Sequence, residues 1–124
     1  MTQDPDAVSV ELSDEERYML LYGLRDWGGP AHCTESLAVA MGFSGIDELL
    51  DESERIITSI QAHQPLTVRD WTRALHSTEL IFISDLVGTG SEWTVIHGQS
   101  DGYWIDVLRR LQHKVPTDRR HLGP

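Results

Sequence analysis

Glycine and proline cut this chain into helix-length pieces, and within most of those pieces the apolar residues return every three or four positions. The first piece runs from about Asp14 to Trp27. Ser13 with Glu16 three residues later forms a capping box, Asp14 and Glu15 suit the positive end of the helix dipole, and Gly28-Gly29-Pro30 supplies the stop. Thr34 caps a short helix over Glu35 to Met41, ended by Gly42. A longer helix starts after Ser44, carries Ile46, Leu50, Ser53, Ile57, Ile60 and Gln64 on one stripe, and ends before Pro65. Thr67, with Asp70 three residues on, opens a fourth helix toward Val87, closed by Gly88-Thr89-Gly90. Its stripe is Val68, Trp71, Leu75, Phe82 and Leu86, and Leu80, Ile81 and Ile83 make its second half apolar on nearly every side, as expected of the central, most buried helix. The last helix spans about Asp101 to Lys114 with Trp104, Leu108, Leu111 and Val115 inward. Residues 93–97 are rich in β-branched side chains and read as a short strand or extended loop.

This pattern predicts an all-α fold: a compact single-domain bundle of four to five helices with short loops, with room for one short extended segment near 93–97. A chain of 124 residues and 14.0 kDa holds one real core. Residues 1–11 read as a flexible acidic lead, 12–115 as the helical domain and 116–124 as a flexible polar tail, because neither end carries an apolar period. No apolar run approaches the length of a membrane span. The acidic, lysine-free and arginine-free first ten residues are the reverse of a secretory signal, so the expected location is cytoplasmic. A single cysteine, Cys33, excludes an intramolecular disulfide.

Charge narrows the function classes. Twenty acidic against ten basic residues give a net of −10, and the excess is local: residues 1–54 hold thirteen acids and two arginines, residues 55–124 seven acids and eight basic residues. Direct nucleic-acid binding is therefore not expected. Leu37, Ala38, Met41, Gly42 and Phe43 resemble the first helix and turn of DNA-binding helix-turn-helix proteins, which would make the next helix the recognition helix. That helix departs from the family: residues 45–54 carry five carboxylates and no arginine or lysine, and phosphate would repel them. Ala38 and Gly42 then read as small residues that let two helices approach.

Gly98-Gln99-Ser100-Asp101-Gly102 resembles the nucleophile elbow of serine hydrolases, a resemblance that implies Ser100 as nucleophile with Asp106 or Asp118 and His113 or His121 downstream. The ninety-odd preceding residues read as helices, leaving no parallel sheet to carry an elbow, so Ser100 is expected to cap the last helix. His32 beside Cys33 and His76 one turn from Glu79 supply too few ligands for a metal, and no cofactor is expected. The helix start after Cys33 could lower its thiol pKa, although an idle cysteine is the simpler reading. His63, His76, His97 and His113 read as solvated or singly hydrogen-bonded.

Asp47, Glu48, Asp51, Glu52 and Glu54 crowd the polar face of the third helix, relieved locally by Arg55 alone. Such unrelieved like charge serves either solubility or an electropositive partner, and on the second reading these five are the candidate partner-binding residues. The expected function is a small acidic, non-catalytic protein-binding module of the inhibitor, antitoxin or immunity type, covering a basic surface of its partner. The alternatives are a hydrolase using Ser100 and a homodimeric or larger adaptor that buries tryptophans against a second copy. Reversing Glu48 and Glu52 to lysine is expected to leave the free protein no less stable.

Overall fold

The computed structural model describes residues 6–29 and 31–122. Four helices begin where a hydroxyl can accept an otherwise unpaired backbone N–H. Ser13 opens α1 (Asp14–Arg25) with both halves of the capping box formed, and a 3₁₀ turn over Asp26–Gly28 prolongs it. Thr34 opens α2 (Glu35–Ala40) and Thr67 opens α4 (Val68–Ile83). Ser100 opens α6 (Asp101–Lys114), accepting from the Tyr103 N–H at 3.1 Å. Replacing Ser100 by alanine should therefore cost about 1 kcal/mol of stability in thermal or urea unfolding, and an unchanged midpoint would disprove the cap. Helix α3 (Ile46–Gln61) has no side-chain cap of its own; the Glu35 carboxylate accepts from the Ile46 N–H instead.

These five helices are the ones the sequence predicts, and the all-α bundle is what forms. A sixth, α5 (Trp93–His97), replaces the extended segment expected there. Trp93 is wholly buried, edge-on to Phe82 and Trp104 at ring-centroid distances of 6.0 and 5.6 Å. Burying an indole outweighs the few tenths of a kcal/mol by which each β-branched neighbour disfavours a helix.

Helix α1 packs against α3, α4 and α6. It contributes Met19, Leu20 and Leu24 to a core completed by Ile56, Ile57 and Ile60 of α3, Trp71, Leu75 and Ile81 of α4, and Val107 and Leu111 of α6. Helix α4 carries the most buried residues, as its pattern suggests, but its far end does not. Ile83 is exposed, and so is Leu86, at 86 %. The chain turns back there, and both the N–H and the hydroxyl of Thr89 donate to the Ile81 carbonyl. On α3, Ser53, Ile57 and Ile60 of the predicted stripe are buried, but at its start Leu49 is buried and Leu50 exposed, and Gln64 lies beyond the helix. All four tryptophans lie in the chain's own core, so none is left to bury against a second copy.

Parts of the expected loose ends have partners. β1 (Ala7–Val8) pairs antiparallel with β2 (Leu66–Thr67), and the Trp71 indole donates to the Val8 carbonyl at 2.9 Å. In the tail, the Asp118 N–H donates to Thr72 Oγ1 at 3.0 Å, ahead of a 3₁₀ turn over Arg119–His121. Residues 1–5 of the predicted lead, 123–124 of the predicted tail and the predicted helix stop at Pro30 lie outside the described residues. Among the described residues no helix is long and apolar enough to cross a membrane.

Candidate functional site

The five acidic residues predicted on α3 divide into two sets because the helix packs on one side only. Asp47, Asp51 and Glu54 recur at i, i+4 and i+7 on the exposed side, with Leu50, 42 % exposed, among them. Their carboxylates form no hydrogen bond or ion pair with any described residue. Glu48 and Glu52 are half-buried and engaged. Glu48 accepts from Arg73 at 2.8 Å and from the Ser44 N–H at 3.1 Å, while Glu52 pairs with Arg55. Arg55 also grips Asp70 of α4 with two nitrogens, each 2.9 Å from a carboxylate oxygen.

Arg73 is the buried centre of this clasp, 4 % exposed. It donates to the Gly42 carbonyl at 2.9 Å, approaches Asp70 at 3.3 Å, and lies 4.7 Å over the Phe43 ring. Burial lowers its pKa, whereas hydrogen bonding to Asp70 raises that of Arg55. The expectation that reversing Glu48 and Glu52 is harmless therefore fails: a lysine at 48 would face a buried guanidinium that has just lost a partner.

The other motifs resolve into structural roles. Ser100 has ordinary extended backbone angles, follows a helix rather than a strand, and uses its hydroxyl as the cap. Ala38 is buried, and Gly42, at φ 102°, adopts a left-handed conformation with the His121 carbonyl 2.5 Å from where a Cβ would stand. Both small residues of the helix-turn-helix pattern thus serve packing. Burial and the neighbouring Glu35 carboxylate push the Cys33 thiol above its ordinary pKa, the opposite of activation. His76 and Glu79 stand 3.5 Å apart, with Gln112 donating to the other Glu79 oxygen at 2.6 Å. Among the described residues no three histidine, cysteine or acidic side chains are placed to hold a metal ion.

One constellation escapes the sequence reading. His97, read as solvated or singly bonded, has a side chain only 3 % exposed and makes two hydrogen bonds. Its Nε2 lies 2.7 Å from Asp26 Oδ2 and its Nδ1 lies 2.9 Å from the Tyr18 hydroxyl. Rings surround it: Trp93 at 4.1 Å, Tyr22 at 4.9 Å and Tyr18 at 5.5 Å between centroids. The Tyr18 end of this chain borders a shallow, largely open surface depression, lined also by Asp14, Glu15, Gln99, Tyr103 and Trp104. Burial, with the nearby Tyr22 and Asp26, holds the Tyr18 pKa above that of an ordinary tyrosine, so the phenol keeps its proton. The only sequence signal was Tyr18, Tyr22 and Asp26 at four-residue intervals along α1.

No protein-family model, curated protein or solved structure matches this chain.

Proposed function

We propose that this protein is a non-catalytic binding module of the inhibitor, antitoxin or immunity type, which meets a basic protein surface through Asp47, Asp51 and Glu54 around Leu50. The observation that carries the reading is the contrast along α3: Glu48 and Glu52 are tied into the fold, whereas these three carboxylates stand exposed without a protein partner. Unrelieved like charge steers an oppositely charged partner, and a central exposed leucine supplies apolar contact once the surfaces meet. The same charge disfavours nucleic acid. We assign the cytoplasm as its compartment, where its single cysteine would stay reduced.

The test uses the partner retained by the wild-type protein in a pull-down, with association rates measured at low and high salt. Asp47→Lys/Asp51→Lys/Glu54→Lys should slow association by about tenfold or more at low salt, with little difference at high salt and no loss of stability. Equal rates at low salt would assign the face to solubility and remove the proposal. A homodimer is the second reading, favoured by the exposed Ile83, Leu86, Val95, Ile96 and Ile105 of the α4 end, α5 and α6. Sedimentation of the wild type and of Leu86→Lys/Val95→Lys decides it: the wild type should be dimeric and the variant monomeric.

A further inference from the structure

We propose that the open main-chain edge of residues 9–11 takes up a β-strand from another protein, an extended segment that alternates basic and aliphatic side chains. The surface is separate from the α3 face, and its test does not depend on that reading. The pairing of β1 with β2 ends at Val8 and Leu66, yet the chain runs on to Leu12 without helix, turn or bend. Burial alternates along it: Ser9 and Glu11 are exposed, Val10 is half-buried and Leu12 is buried. In such a strand successive main-chain groups point to opposite edges. One edge is turned inward and occupied, since the Val8 carbonyl accepts from the Trp71 indole and the Leu12 carbonyl from Arg17. Ser9 and Glu11 lie on the other edge. There the Ser9 N–H and carbonyl and the Glu11 N–H have no partner among the described residues, and only the Glu11 carbonyl is taken, by Lys114 Nζ at 3.0 Å. The edge borders an open surface groove with Val10, Lys114 and Pro116 along it.

Unpaired main-chain groups along one extended edge are what a further strand needs: they hold its backbone, and the side chains beside them choose its sequence. The pleat decides which side chains meet. Outward residues of the added strand stand beside Ser9 and Glu11. The Glu11 carboxylate is exposed and forms no hydrogen bond or ion pair with any described residue, so an arginine or lysine there completes a cross-strand pair of opposite charge. Lys114 does not supply that charge, because its ammonium is held 2.6 Å from the wholly buried Glu16. Inward residues of the strand lie beside Val10 and Pro116, which suits an aliphatic side chain. Thirteen acids against two arginines in residues 1–54 draw a basic segment from a distance. The same charge selects against a second copy of this chain, which would bring a net −10 and its own Glu11 to the edge.

The experiment titrates the whole protein with a capped peptide of four Lys-Val repeats while NMR follows the backbone amides. The signals of Ser9, Val10 and Glu11 should move, and solvent exchange of the Ser9 and Glu11 N–H groups should slow by about tenfold or more. A Glu-Val peptide of the same length, which keeps the backbone and reverses the charge, should bind at least about tenfold more weakly. Two further peptides are N-methylated, one on its lysines and one on its valines. A strand offers its neighbour only one edge, so one of them should lose about tenfold in affinity and the other bind like the parent. On the protein, Glu11→Lys should weaken binding about fivefold, and Ser9→Pro, which removes one edge N–H, about tenfold, with circular dichroism unchanged. Signal changes confined to other residues, equal binding of the two N-methylated peptides, or a Glu11→Lys variant that binds like wild type would overturn the proposal. A wild-type dimer in sedimentation that Ser9→Pro abolishes would give the edge to a second copy and overturn it as well.

Discussion

Replacing Gly23 by alanine is expected to destabilise the protein by about 3 kcal/mol, roughly a ten-degree fall in unfolding temperature for a domain of this size. In an isolated helix the same change would stabilise by up to about 1 kcal/mol, because glycine is a poor residue for a helix interior. Here the sign reverses, because α1 and α4 cross at this residue. A Cβ on Gly23 would stand 2.1 Å from Thr78 Oγ1, 2.7 Å from its Cβ and 2.9 Å from its Cα. Thr78 cannot turn aside: it is buried and its hydroxyl donates to the Ala74 carbonyl at 2.8 Å. Since one of the clashing atoms is backbone, the two helices must separate, and their shared core loosens. Gly102→Ala is the control, because its nearest neighbour would be Ser100 Oγ at 3.9 Å; it should be neutral or slightly stabilising. Thr78→Ala should rescue Gly23→Ala only in part, the double variant losing less than the sum of the two. Equal effects of Gly23→Ala and Gly102→Ala in thermal unfolding would show that the crossing is not tight.

What was legible in the sequence is what local chemistry controls. Ser13, Thr34, Thr67 and Ser100 announce helix starts because a cap involves only the next three residues, and all four caps form. Between the adjacent Leu49 and Leu50, periodicity cannot choose, and the packing of α3 on α1 chose Leu49. The acidic face of α3 was visible as a cluster, but its division was not. Arg73 comes from 25 residues beyond Glu48, and Asp70 from 15 beyond Arg55. His97 meets Asp26 across 71 residues and Tyr18 across 79, so no local pattern could have joined them. Helix α5 was missed for the same reason: its β-branched composition is local, whereas the pocket that takes Trp93 is built by Phe82 and Trp104.

Asp70→Asn is expected to cost about 3–5 kcal/mol, a large share of the roughly 5–15 kcal/mol that holds a domain together. The substitution keeps the shape and the Thr67 cap on the backbone N–H of residue 70, so the loss reports charge and hydrogen bonding alone. Arg55 can tolerate it, since its side chain is 50 % exposed and keeps Glu52. Arg73 cannot: it is buried, and of its two carboxylates only Glu48 would remain. The penalty therefore comes from a buried guanidinium left short of a partner rather than from the net strength of an ion pair. Two comparisons separate those causes. Along the acidic residues, urea unfolding should rank Asp70→Asn as most damaging, Glu48→Lys at about 1–2 kcal/mol and Asp47→Lys within about 0.5 kcal/mol of wild type, following how deeply each is engaged. Combining Asp70→Asn with Arg73→Met should lose no more than Asp70→Asn alone, because removing the stranded cation removes the reason for the penalty. If Asp70→Asn instead behaves like Asp47→Lys, the clasp between α3 and α4 carries no stability, and Glu48 and Glu52 return to the set of residues free to meet a partner.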